Sequence, residues 1–316
     1  MILVVSHQGD DHAAGVLGLL ESAGHPVALL DTAQFPKSAA VSQRFGEAGG
    51  FQFASNGHAI DLSACGAGWW RRPQPLTLHD GLTPDVASFT YSECHEAIAG
   101  LWAALGLSWV NRPDADEVAH HKPYQLATAL DVGLPIPKTL ITNDPAAAEG
   151  FIDEVGLGRV IYKTFLATEQ HWRETRLVKA DELAMLERLR LAPVIFQEFV
   201  PAVADLRVTV VGDRIFATAI TSPPNGYPVD YRMEMDAARF EPTELRPGTR
   251  RKIRVFMKRL GLLYGAIDLR RTPDGDEVFL EVNPSGEWLF VEERSEQPIT
   301  AAMAALLRRL DEARGG

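Results

Sequence analysis

Short apolar runs alternate along the chain with longer stretches in which apolar positions recur every three to four residues, so strands and helices are expected in turn. Residues 2–5 (ILVV) predict a strand, 12–23 a helix, and 27–31 (VALLD) a second strand. FQFASNGHAIDL predicts a hairpin turning at Asn56-Gly57, a pair suited to a type I′ turn. A helix is expected from Pro84 to Leu105, then a short strand SWVN. This pattern predicts a parallel α/β lobe ending near residue 112. Beyond it come an amphipathic helix closed by Gly133, the strands RVIYKTF and APVIFQEFV, and a helix over about 181–190. DLRVTVVGDRIFATAI predicts a long hairpin turning at Gly212-Asp213. A basic helix over about 249–260, two last strands and a closing helix complete the chain.

The last two strands, GAIDLRRT and EVFLEVNP, bury an anomaly, because a carboxylate in an apolar run needs a partner. If Asp274-Gly275 is a two-residue turn, Pro273 faces Asp276 and Asp268 faces Glu281. Asn283 then shares the face of Glu281, with Ile267, Leu269, Leu280 and Val282 on the other. In that register Phe279 falls on the polar face, which argues against a plain solvent-facing surface. Three oxygen donors on one face suit a hard divalent cation such as Mg²⁺, which shares few protein carboxylates with substrate phosphates.

Composition narrows the classes. The chain has 316 residues and 46% hydrophobic content, enough for two or three lobes, and no basic excess for nucleic acid at a formal charge of −11. Two cysteines without metal spacing, no signal peptide and no run approaching the about 18 apolar residues of a membrane span point to the cytoplasm. No GxxxxGK[ST] or GxGxxG motif supplies a phosphate handle. Lys163 inside VIYKTF and Arg207 inside DLRVTVV are charges in apolar strands, either phosphate ligands or side chains snorkelling to solvent.

The order of an early Lys, a strand Lys, QEFV, a D-x-R strand, then Asp and Glu-x-Asn resembles the ATP-grasp superfamily. The resemblance implies an N-terminal α/β domain (1–112), a central grasp lobe (113–200) and a C-terminal grasp lobe (201–316) with the nucleotide between the last two. It implies ATP phosphates held by Lys122 and Lys163, adenine by the Gln197-Glu198-Phe199-Val200 hinge, and ribose near Asp205. Asp268, Glu281 and Asn283 would hold two Mg²⁺ ions, with Arg207 facing the phosphates. The stretch TFLATEQHWRETR lacks the glycines of a phosphate-covering loop, so that loop is unassigned.

A narrower likeness is to the graspetide maturases of the microviridin type: GWWRRPQ, GLPIPKTLITNDP, VDYR, EVNPSGEWLF and the opening MILVVSHQGD are similar to that subfamily. It implies a homodimeric ligase that joins Asp or Glu side chains of a ribosomal precursor peptide to Ser, Thr or Lys through acyl phosphates, and that reads a leader segment. Lys163, Arg207, Arg232 and Asn283 would be catalytic, Arg232 positioning the reacting carboxylate. Arg71, Arg72, Ser285, Gly286 and Trp288 would border the substrate, guanidinium groups being suited to bidentate carboxylate binding. Arg71-Arg72 could equally be an interlobe ion pair, Trp69-Trp70 packing, and the run RPGTRRKIRVFMKR a solvated face or a dock for an acidic peptide. Two other readings stand beside the macrocyclase: a glutamate-ligase-like enzyme that adds amino acids to a peptide, and a nucleotide-binding module without turnover.

Overall fold

The computed structural model describes residues 1–47, 49–165, 175–223 and 235–315. The N-terminal part holds β1 (Ile2–Val5), α1 (Asp11–Ser22), β2 (Val27–Leu30), β3 (Ala39–Arg44), β4 (Gly50–Ser55), β5 (His58–Asp61), β6 (Ala67–Trp70), α2 (Pro84–Ala104) and β7 (Ser108–Val110). Strands β2-β1-β6-β7 form a parallel sheet, and β3-β4-β5 a separate antiparallel one. The expected Asn56-Gly57 turn is present: Ser55 pairs with His58, and both turn residues have positive φ (51° and 78°).

Then come α3 (Pro113–Ala119), α4 (Lys122–Asp131), β8 (Thr139–Thr142), α5 (Pro145–Val155), β9 (Val160–Lys163), β10 (Arg176–Leu177) and β11 (Val194–Glu198), the strands ordered β10-β9-β11-β8. The helix expected at 181–190 is a run of 3₁₀ turns, Ala180–Leu191. Leu183, Leu186 and Leu189, spaced by three, pack as partly buried groups on the central core, and three residues per turn brings them onto one side.

The last part holds β12 (Ala204–Val211), β13 (Arg214–Thr221), β14 (Arg239–Pro242), α6 (Pro247–Leu260), β15 (Tyr264–Arg271), β16 (Glu277–Asn283), α7 (Leu289–Ser295) and α8 (Ile299–Gly315). Its sheet is antiparallel, ordered β14-β13-β12-β15-β16. One face carries Leu206, Val208, Ile267, Leu269, Phe279 and Val282 onto Ile253, Phe256 and Met257 of α6. The parallel sheet and the three-stranded sheet lie within residues 2–110, the four-stranded antiparallel sheet within 139–198 and the five-stranded sheet within 204–283, and helices from beyond a sheet's own stretch pack on it. Ala119 of α3 and Ala129 of α4 join the core of the C-terminal sheet, and Met303 and Leu307 of α8 join that of the N-terminal sheet with Ile2, Val4 and Trp69. The first and last parts are thus stapled by buried apolar surface.

Candidate active site

The opposite face of the C-terminal sheet, with β9 and β11 across from it, walls a cleft of about 420 Å³. Asp268 on β15 does stand opposite Glu281 on β16, with Asn283 two residues on, and all three line the cleft. The route to that pairing differs from expectation. The turn spans 273–275, with the Gly275 N–H donating to the Thr272 carbonyl (2.8 Å) and Arg271 opposite Glu277, one residue out of the expected register. A bulge then restores it: Leu269 faces Phe279 while Asp268 faces Glu281, so Leu280 has no partner across the ladder. The bulge also corrects the faces. Phe279 is wholly buried on α6, its ring 5.0 Å from that of Phe256, and Leu280 turns to the cleft instead.

Each carboxylate meets a cation. Arg207, opposite Asp268 on β12, donates from Nη1 to both its carboxylate oxygens at 3.0 Å. The Lys122 ammonium, from the start of α4, is ion-paired with Glu281. The neighbouring turn explains this reach. Gln125 is buried, takes the Val282 N–H on its Oε1 (3.0 Å) and donates to the Val282 carbonyl (2.9 Å), so its amide acts as one more strand on the edge of β16. Lys122, three residues earlier, lies on the same helix face and falls over Glu281. Lys122 is therefore a partner for the half-buried Glu281 carboxylate (31% exposed), so the fold accounts for this charge without Mg²⁺.

Across the cleft, Lys163 ends β9 beside Ile195 of β11, and Gln197, Glu198, Phe199 and Val200 line the wall with it. The Glu198 and Phe199 N–H groups are taken by the Lys138 and Arg159 carbonyls, and Arg159 also pairs with the Glu198 carboxylate at 3.0 Å. Gln197 is 1% exposed; its Nε2 donates to Thr139, and its Oε1 has no partner among the described residues. A buried unpaired acceptor in a cleft wall fits a ligand that brings an N–H donor, as adenine does. Asp205 lines the cleft and is paired with Arg270 (3.0 Å). Among the described residues no three His, Cys, Asp or Glu side chains cluster as a metal site. Two carboxylates and an amide suit a cation that shares its shell with phosphates.

The loop 284–288 after β16 is fixed from beneath. Arg71 has no exposed surface; its Nε pairs with Asp10 (3.0 Å) and its Nη1 donates to the Ser285 and Gly286 carbonyls (2.6 and 3.0 Å). Tyr264 Oη donates to the Gly286 carbonyl (2.6 Å), and Arg207 Nη2 to that of Glu287 (2.9 Å). His12 Nε2 accepts from the Trp288 N–H (2.9 Å). Burial works against ionised Asp10, but the bond to His12 and the charge of Arg71 outweigh it and hold its carboxyl well below the usual range. Gly286 leaves no room for a side chain, since a Cβ would stand 2.5 Å from that of Ala266.

These contacts correct the assignment of Arg71, Gly286 and Trp288 to the substrate. Arg71 is the interlobe tie, Gly286 is buried, and Trp288 is core, packed against Trp69, Tyr264 and His12. Ser285 turns its hydroxyl to buried Asp116 (3.2 Å). Arg72 does open on the cleft, paired with Glu287 at 2.9 Å. Arg232 and residues 166–174 of the stretch TFLATEQHWRETR, whose role as a phosphate-covering loop is unassigned, lie outside the described residues. Arg270, Glu287 and Phe290 line the cleft as well and were missed. Arg270 is legible, sitting two residues from Asp268 on the same strand face; Glu287 comes from a loop, which has no periodicity, and Phe290 from the first turn of the seven-residue α7, where two turns are too few for a 3.6-residue pattern to stand out.

Residues 1–117 match the family model of the MvdD pre-ATP-grasp domain. The whole chain superimposes on the macrocyclase MdnC of Microcystis aeruginosa MRC, solved with precursor peptide MdnA, at a TM-score of 0.88 and 30% identity, over 98% of this chain and 99% of that one. The ATP-grasp ligase PsnB, solved with a phosphomimetic variant of a minimal precursor, Mg and ADP, matches at 0.77 and 28% identity, over 98% of each chain. A probable alpha-L-glutamate ligase of Shewanella amazonensis is 27% identical over 66% of this chain and 70% of its own length. With the cleft, the paired carboxylates and this end-to-end likeness, the chain belongs to the ATP-grasp peptide macrocyclases.

Proposed function

We propose that this chain is an ATP-dependent ligase that activates Asp or Glu side chains of a ribosomal precursor peptide and closes ω-ester or ω-amide rings with its Ser, Thr or Lys side chains. The observation that carries the reading is the convergence of Asp268, Glu281 and Asn283 on a cleft also lined by Lys163 and Arg207. ATP with Mg²⁺ would supply the phosphoryl group that turns a substrate carboxylate into a reactive acyl phosphate. Asp268, Glu281 and Asn283 would hold two Mg²⁺ ions, and Gln197 and the hinge would hold adenine. Lys122 and Lys163 would bind phosphate oxygens, Lys122 leaving Glu281 to do so. Arg207, braced by Asp268 and the Glu287 carbonyl, supplies fixed positive charge where the transferred group gains negative charge. Arg72 faces the substrate carboxylate, with Arg232 as a second positioning group. The 1–112, 113–200, 201–316 division, a leader-reading surface and a homodimer belong to the same reading. It is supported by likeness to MdnC and PsnB, both solved with precursor peptides.

The test is mass spectrometry of a neighbouring-gene precursor incubated with the protein, ATP and Mg²⁺: loss of water per ring is expected, and an unchanged mass with ADP formed rules out ring closure. The glutamate-ligase relative favours one second reading, addition of an amino acid to a peptide, which gives a mass gain instead. Asp268, Glu281 and Asn283 being all present speaks against a module that binds nucleotide without turnover.

A further inference from the structure

Two adjacent arginines meet carboxylates in opposite settings. Arg71 and Asp10 are 0% and 1% exposed, sealed under the 284–288 loop. Arg72 and Glu287 are 41% and 54% exposed and both line the cleft. Their backbones are held: the Arg72 N–H donates to the Val5 carbonyl (3.1 Å), its carbonyl accepts from Gln74 (3.0 Å), and the Glu287 carbonyl accepts from Arg207. A carboxylate is thus presented from a rigid loop onto a guanidinium at the cleft wall, in water, where such a pair is weak and exchangeable. A sealed pair serves the fold; an open one between two fixed supports serves exchange.

We propose that Glu287 is a built-in occupant of the substrate-carboxylate subsite, holding Arg72 until the Asp or Glu side chain of the peptide displaces it. This rests on the ligase reading and adds a specificity determinant. Arg72 is kept aligned by a group with the chemistry of the substrate, and only a ligand that is itself a carboxylate gains by replacing it. A neutral side chain would leave Glu287 in place, so amides and hydroxyls are discriminated against at entry.

The experiment titrates N-acetyl-L-glutamate methylamide into wild-type protein, Glu287→Gln, Arg72→Gln and the double variant, by NMR or calorimetry, with and without MgADP. N-acetyl-L-glutamine methylamide is the neutral control. Removing the competitor should tighten the acid about two- to fivefold in Glu287→Gln, the worth of an exposed pair. Arg72→Gln should weaken it and erase the gain in the double variant, while the neutral control does not respond. A purely structural bridge would lower melting temperature in Glu287→Gln without tightening the acid. Unchanged or weaker acid binding in Glu287→Gln, acid binding as tight as wild type in Arg72→Gln, or no acid binding to any variant overturns the proposal. MgADP titration of the same samples reads the ligase assignment separately, so loss of one does not depend on the other.

Discussion

Deleting Leu280 should leave the fold intact while damaging the site. Leu280 is the residue that the bulge leaves over; without it, Glu281 follows Phe279 directly and still meets Asp268, with Val282 on Ile267 and Asn283 on Ala266. Phe279 and Val282 stay on the α6 face, so no side chain changes sides. The half-buried Leu280 loses about 1 kcal/mol of apolar burial, and an unbroken ladder regains about 1 kcal/mol for a hydrogen bond. The net change is within about 2 kcal/mol, a melting shift of roughly 5 °C or less. Deletion of Val282 is the contrast, because it removes a side chain only 3% exposed and turns Asn283 into the α6 core. That costs about 2 kcal/mol of transfer plus about 1–3 kcal/mol for the buried amide, and should lower melting by about 7–13 °C. MgADP affinity, read by calorimetry, should fall about tenfold or more without Leu280, because the bulge sets the tilt of Glu281 and sites tolerate about 0.5 Å. If the Leu280 deletion melts as early as the Val282 deletion, or binds MgADP like wild type, the register argument is wrong.

Arg71→Met should destabilise by about 3–5 kcal/mol in urea unfolding by leaving the buried Asp10 charge without its guanidinium, with Ser6 and His12 as its remaining partners among the described residues, and Asp10→Asn in the same chain should restore part of it. The Asp10 carboxyl is held below its unfolded value, so its stabilisation is complete above about pH 4–5 and is lost as pH falls; Asp10→Asn should flatten that acid-side slope in melting curves. Burial raises Asp116 despite neighbouring His120 and Ser285, so its ionised form costs stability and the cost fades as pH falls through the raised value. Asp116→Asn should therefore raise melting temperature most near neutral pH, with the gain shrinking towards pH 4. Arg232→Ala should keep MgADP affinity and lose peptide-dependent ADP release; a change in nucleotide affinity alone contradicts its positioning role.

Local pattern was enough to read most elements and the composition of the site. The Asn56-Gly57 and Gly212-Asp213 turns and the parallel α/β start follow from periodicity and turn chemistry, which act over a few residues, whereas Asp268 meets Glu281 only because a bulge offsets a turn one residue longer than the two-residue one expected. Leu183, Leu186 and Leu189 show the limit: their spacing fits three residues per turn as well as 3.6, and packing on the central core decided it.

What the chain alone determined is which groups would be present: two carboxylates and an amide on the closing strands, charges inside apolar strands, and the Arg-Arg pair after Trp70. What only the tertiary structure decided is how they are shared out. The bulge that sends Phe279 to α6, the Lys122 contact to Glu281, and the sealing of Arg71 beside an open Arg72 all depend on partners far along the chain. Periodicity specifies which side of its own element a residue faces. The partner waiting there is supplied by packing between elements, and in a cleft between lobes that packing separates a structural charge from a working one.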